Sequence, residues 1–196
     1  PTLTPYLLPH IMPKLKKEFP KLKWILQEEK TDSLIQKVQE GTLDCALVAL
    51  PIQKPDLTHL SLFDDPFYFA VPKNHALAKQ DKVTLQRALQ EPILLLEEGH
   101  CLRDQALSIC SSFQNKDTED YRATSLETLR QMVATGNGCT FIPRLCALQD
   151  RSVVYLRMTP SPKRRIALVY RASSPRQVFF NNLGRIIQTK AKKILD

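Results

Sequence analysis

No stretch of this sequence approaches the roughly 20 consecutive apolar residues that a membrane-crossing helix needs. The opening Pro1-Thr2-Leu3-Thr4 has neither an initiator Met nor the basic, then apolar, pattern of a secretion signal. The chain is therefore expected to be soluble, without membrane association, and to be a piece of something longer. Cysteine is scarce and irregularly placed: Cys45, Cys101, Cys110, Cys139 and Cys146 are an odd number with no CxxC pair. That argues against a secreted disulfide framework or a zinc knuckle and for a reducing, cytoplasmic home. His10, His59 and His75 have no metal-ligand companions, so neither a metal nor a cofactor is expected. Basic residues exceed acidic ones by 28 to 20, yet no helix-turn-helix pattern, aromatic platform or glycine loop accompanies them. Apart from Lys163-Arg164-Arg165 and the terminal Lys190, Lys192 and Lys193 they are dispersed, which reads as a solvated basic surface rather than a nucleic-acid interface.

What is present is a chain of 196 residues, 43% hydrophobic, long enough for one globular unit or two small lobes. Helical spacing over Pro5 to Phe19 is followed by a short buried strand, Leu22 to Leu26. A helix then runs from Asp32 to Glu40, with Thr31 as its cap and Gly41 as its stop, and leads to a continuous apolar strand of the parallel-sheet kind, Leu43 to Leu50. Together these read as a βαβ unit. Further strands are expected at Pro66–Pro72, Ile93–Leu96, Tyr121–Ala123, Cys139–Ile142, Val153–Met158 and Ile166–Tyr170. Helices are expected at Leu85–Leu89, Leu102–Phe113 and Val178–Leu195, with a further one after Thr124-Ser125-Leu126-Glu127, which has capping-box form; 114–120 is a polar loop. The alternation argues an α/β architecture with ligands where strand ends meet helix starts.

The segments Glu29-Lys30-Thr31-Asp32-Ser33-Leu34 and Gly41-Thr42-Leu43-Asp44-Cys45-Ala46, with Asp65-Pro66-Phe67 and Gly136-Asn137-Gly138-Cys139-Thr140-Phe141-Ile142-Pro143, resemble the effector-binding domain of LysR-family transcription regulators. Gly99-His100-Cys101-Leu102-Arg103-Asp104-Gln105, with Cys110 downstream and Arg122-Ala123-Thr124-Ser125-Leu126-Glu127 beyond, resembles the OxyR type within that family. The resemblance implies two Rossmann-like lobes joined by crossing strands, as in periplasmic binding proteins: residues 1–65 plus 172–196 in one, and 66–171, carrying the redox cysteines, in the other. It implies a hydrogen peroxide sensor rather than an enzyme, dimers that pair into tetramers, and a glutaredoxin or thioredoxin as reductant. The family's winged helix-turn-helix is absent from this chain, so promoter DNA and RNA polymerase would be met only through the full-length activator.

Peroxide is attacked by a thiolate, so a sensor cysteine needs stabilised negative charge and an opening to solvent. Cys101 sits at a helix start, where unpaired amides favour an anion, with His100 and Arg103 close in sequence and Arg122 a further cationic candidate. Cys45, Cys139 and Cys146 lie on or beside apolar strands and read as inert. The resemblance makes Cys101 the peroxidatic and Cys110 the resolving thiol. Nine positions separate them; in an intact helix that is ~13 Å and nearly opposite faces, against the ~4.4–6.8 Å a disulfide requires. The helix must unwind if they pair, and Cys110, in helical register with Leu107 and Phe113, would have to leave the core. A plain core role for Cys110 is the alternative.

By resemblance Thr2, Thr31, His100 and Arg164 would line the peroxide pocket; the threonines can equally be ordinary caps. Ser125 can cap its helix or hold an anionic effector. Two other functions fit part of the pattern. An effector domain binding a small organic anion between its lobes would keep saturable binding in Cys101→Ser, and a thiol peroxidase would consume peroxide catalytically with a thiol reductant.

Overall fold

The computed structural model describes residues 1–98, 100–111 and 122–195, and only the backbone of Cys110, Ser111 and Arg122. Six α-helices lie at Thr4–Glu18 (α1), Thr31–Glu40 (α2), Leu85–Ala88 (α3), Cys101–Ser111 (α4), Leu126–Ala134 (α5) and Gln177–Leu195 (α6). Strands run over Cys45–Ala49 (β1), Leu57–Pro72 (β2), Lys82–Thr84 (β3), Leu95–Leu96 (β4), Arg122–Ala123 (β5), Thr140–Pro143 (β6), Val153–Thr159 (β7) and Lys163–Arg171 (β8). The chain divides into two compact units, Pro1–Asp65 with Arg165–Asp196, and Pro66–Arg164. The first division falls after residue 65, and the second falls inside β8 rather than at 171/172.

In the first unit α1 buries Leu7, Ile11 and Leu15, four residues apart and so on one face, and packs against α6. α6 buries Phe180, Leu183, Ile187 and Ala191, and the Phe180 ring stacks on Tyr170 of β8 at 4.3 Å between centroids. Ile35 and Val38 of α2 join Ala46, Val48 and Val169 in a second cluster. β1 pairs with β8 antiparallel, Cys45 opposite Tyr170 through Ala49 opposite Ile166. The expected parallel βαβ unit is thus corrected: a continuous apolar run does not report strand direction, which belongs to the pair. The strand expected at Leu22 to Leu26 does not form; Leu22, Ile25 and Leu26 are exposed and only Trp24 turns inward, toward Phe19 and Phe179. A strand exists through its ladder, and among the described residues nothing pairs with this segment.

In the second unit β2 pairs antiparallel with β6 and β7, and β3 runs parallel to β7. Phe69 and Phe141, opposite each other across β2 and β6, are fully buried with ring centroids 5.5 Å apart. β4 and β5 form a separate parallel pair, Leu95 opposite Arg122 and Leu96 opposite Ala123, extended by the amide of Glu97 donating to the Ala123 carbonyl at 3.0 Å. The expected loop 114–120, Tyr121 and the end of the helix expected to reach Phe113 lie outside the described residues.

α2 ends at Gly41, whose φ of 85° lies in the left-handed region, and there the Arg171 guanidinium donates to the carbonyls of Val38 (2.7 Å) and Leu43 (3.2 Å). A Cβ on Gly41 would stand 3.2 Å from Arg171 Nη1. Gly41→Ala is expected to destabilise the chain by about 1–2 kcal/mol, from the backbone penalty and the displaced cap; the shift in a urea unfolding midpoint checks it.

Candidate functional site

Parallel pairing puts the carboxyl ends of β4 and β5 side by side, and a helix starts just beyond each. Cys101 is the first residue of α4, so its thiol stands at the amide-rich end of an 11-residue helix. Leu102, Ala106 and Ile109 form the buried side of α4. Cys101 itself is half-buried, with its thiol free. His100, one residue before, is buried, with Nε2 3.6 Å from Glu97 Oε1, an ion-pair distance when the imidazole is protonated. The Arg103 guanidinium lies 3.5 Å from Glu98 Oε1, and the Arg103 amide donates to the His100 carbonyl at 2.8 Å. The two basic residues beside Cys101 therefore each lie next to a carboxylate of the Glu97-Glu98 pair. Sequence reasoning missed these partners, although acidic residues three and five positions before His100 and Arg103 were a visible signal.

Ser125 is the N-cap of α5: its Oγ accepts from the Thr128 amide at 3.1 Å and shares a hydrogen bond with Thr128 Oγ1 at 3.0 Å. The capping box expected on Thr124 is shifted by one residue. Glu127 consequently sits one position early to reach back to the cap, and instead clasps Arg130 through two hydrogen bonds, at 2.6 and 3.0 Å. Arg130 also pairs with Asp150, tying α5 to the segment before β7. Thr31 is not the cap of α2: that position belongs to Lys30, which has no side-chain cap bond, and Thr31 is the first helical residue.

The candidates divide between the units. Thr2, buried ahead of α1, and Thr31 belong to the first; His100, Cys101, Arg103, Ser125 and Arg164 to the second. Arg164 is buried, with Nη2 4.0 Å from Cys146 Sγ. The Arg122 side chain and that of Cys110, whose inward packing was expected, lie outside the described residues. Among the described residues no cluster of His, Cys, Asp or Glu can hold a metal, and no helix is long and apolar enough to cross a membrane.

The other thiols are set apart by their surroundings. Burial, reinforced by Asp44, pushes Cys45 up to about 12. Burial pushes Cys139 to about 12 as well, Glu91 raising it further and Arg87 opposing. Both stay protonated, and so poorly nucleophilic, at neutral pH.

Three comparisons place this geometry among known proteins. Residues 1–192 match the family model of the LysR substrate binding domain. The DNA-binding transcriptional dual regulator OxyR of Escherichia coli K12 is 41% identical over 194 residues, covering 97% of this chain; the chain spans 64% of that relative's length. Crystal structures described as the reduced and the oxidised form of OxyR are each 40% identical, with TM-scores of 0.90 and 0.88, covering all of this chain and 94% of theirs.

With the pKa of Cys45 and Cys139 raised from near 9 to about 12 on folding, the unfolded chain loses those protons first as pH climbs. Their contribution to stability is complete below about pH 9 and is expected to fall between pH 9 and 12. In the same window native-state alkylation of both should rise; at pH 7 to 8 iodoacetamide is expected to leave Cys45 and Cys139 unmodified until the chain is unfolded, as peptide mass spectrometry would read.

Proposed function

This chain belongs to the LysR substrate-binding-domain family, and from that premise we propose that it is the hydrogen peroxide-sensing regulatory domain of an OxyR-type transcription regulator, switched by Cys101 and Cys110. The observation that carries the reading is the placement of Cys101: it is half-buried as the first residue of an 11-residue helix, beside His100 and Arg103, whereas Cys45 and Cys139 lie on or next to strands. Similarity to OxyR proteins over the whole chain supports the same reading.

In this reaction the Cys101 thiolate attacks one peroxide oxygen, the O–O bond breaks, and the departing hydroxide takes up a proton and leaves as water, giving a sulfenic acid. The Cys110 thiol then attacks that sulfur, the S–O bond breaks, and a second water departs as the disulfide forms. Two electrons pass from the two thiols to one peroxide. α4 runs unbroken from Cys101 past Cys110, a rise of ~13 Å between the two Cα atoms, so the step requires the helix to open. In the unit that carries Cys101, His100 and Arg164 are the proposed peroxide-contacting residues, with Arg103 and Arg122 as further ligand-binding candidates; Thr2 and Thr31 are the candidates of the other unit, and Ser125 serves its helix as a cap. A glutaredoxin or thioredoxin would return the electrons. Dimers pairing into tetramers, a cytoplasmic setting, and promoter DNA and RNA polymerase met through the remainder of the regulator complete the proposal. The domain is a stoichiometric sensor rather than a turnover enzyme.

Peptide mass spectrometry with thiol alkylation, before and after about one equivalent of hydrogen peroxide, is expected to find a Cys101–Cys110 crosslink that a glutaredoxin system removes. Cys101→Ser is expected to abolish it, while Cys45→Ser leaves it unchanged. A Cys101 that stays fully alkylatable after peroxide would sink the reading.

A further inference from the structure

The face of α4 formed by Gln105, Ser108 and Ile109 borders a solvent-open pocket of about 310 Å³, lined also by Phe67, Leu85, Pro162 and Lys163 of the same unit. On the same face the Gln105 side-chain oxygen is buried and has no hydrogen-bond partner among the described residues. Ser108 cannot supply a donor, because its hydroxyl donates to the Gln105 main-chain carbonyl at 2.7 Å, a side-chain bond of the kind that loosens helices. A buried acceptor that has left water and gained nothing penalises the state in which it is buried.

We propose that Gln105 sets the redox poise of the switch. Four residues after Cys101 and five before Cys110, it holds a buried, unsatisfied carbonyl oxygen only while α4 is helical, and opening of α4 returns that oxygen to water. The reduced helix is thereby less stable than its length and its buried Leu102, Ala106 and Ile109 would make it, and disulfide formation is correspondingly easier. Gln105 touches no reacting atom in this scheme; it is a positioning residue that acts through the helix. The inference rests on the Cys101–Cys110 pairing proposed above.

Gln105→Met and Gln105→Leu keep similar volume and helix preference while removing the orphaned oxygen. The 196-residue chain and both variants are equilibrated with mixtures of reduced and oxidised glutathione, in which each disulfide formed converts one oxidised glutathione into two reduced molecules. The crosslink is quantified by alkylation and mass spectrometry. Both variants are expected to shift the dithiol-to-disulfide ratio toward dithiol by about five- to a hundredfold, and to raise the thermal midpoint of the reduced chain. Ratios within twofold of the unsubstituted chain, or reduced variants less stable than it, overturn the inference while leaving the thiol switch intact. Absence of a Cys101–Cys110 crosslink in the unsubstituted chain overturns the switch, and this inference with it.

Discussion

The parallel pairing of Leu95–Leu96 with Arg122–Ala123 is the constraint on which the candidate site depends. Only two residues long on each side, it fixes where two helices begin, because each strand gives out into a helix start within a few residues. One start carries Cys101 and the other Ser125, so the unsatisfied amides of both helices are gathered at the same edge. A capped start and an uncapped thiol have different uses there. Ser125 answers its own helix, while Cys101 places a sulfur at the amide-rich start of α4.

Selectivity among the thiols follows from where the strands put them. Cys45 lies on β1, opposite Tyr170, and Cys139 is bridged to Ile93 at the entrance to β6; burial holds both as neutral thiols. Cys146 is fully buried beside Arg164. Cys101 alone of the described cysteines stands at a helix start, in a segment where Glu97 and Glu98 lie next to the neighbouring His100 and Arg103. A residue of the same type is inert or poised according to the solvent and charge around its sulfur.

The switch proposed for α4 has to balance two demands. The reduced helix must be ordered enough to keep its thiols apart, and Leu102, Ala106 and Ile109 supply that order by burial. It must also be weak enough to open, and in the proposal above the unsatisfied Gln105 oxygen acts in that direction. For a two-electron couple each 1.4 kcal/mol of helix stability corresponds to ~30 mV of reduction potential, so packing of this modest size is enough to tune a sensor.

The sequence alone determined the α/β class, the position of nearly every helix, and the segment around Cys101, since helical spacing, stop glycines and the residue types flanking a thiol are local properties. Tertiary structure decided the rest. β1 runs antiparallel to β8, which a continuous apolar run cannot reveal because direction belongs to the pair and not to the strand. Leu22 to Leu26 has strand composition, yet among the described residues no partner completes a ladder with it. The cap of α5 moved one residue, and Glu127 with it, because backbone geometry at the strand end selects which hydroxyl faces the free amides. The acidic partners of His100 and Arg103, and the unsatisfied Gln105 oxygen, arise from side chains meeting in three dimensions, where distance and burial rather than residue type set the energy.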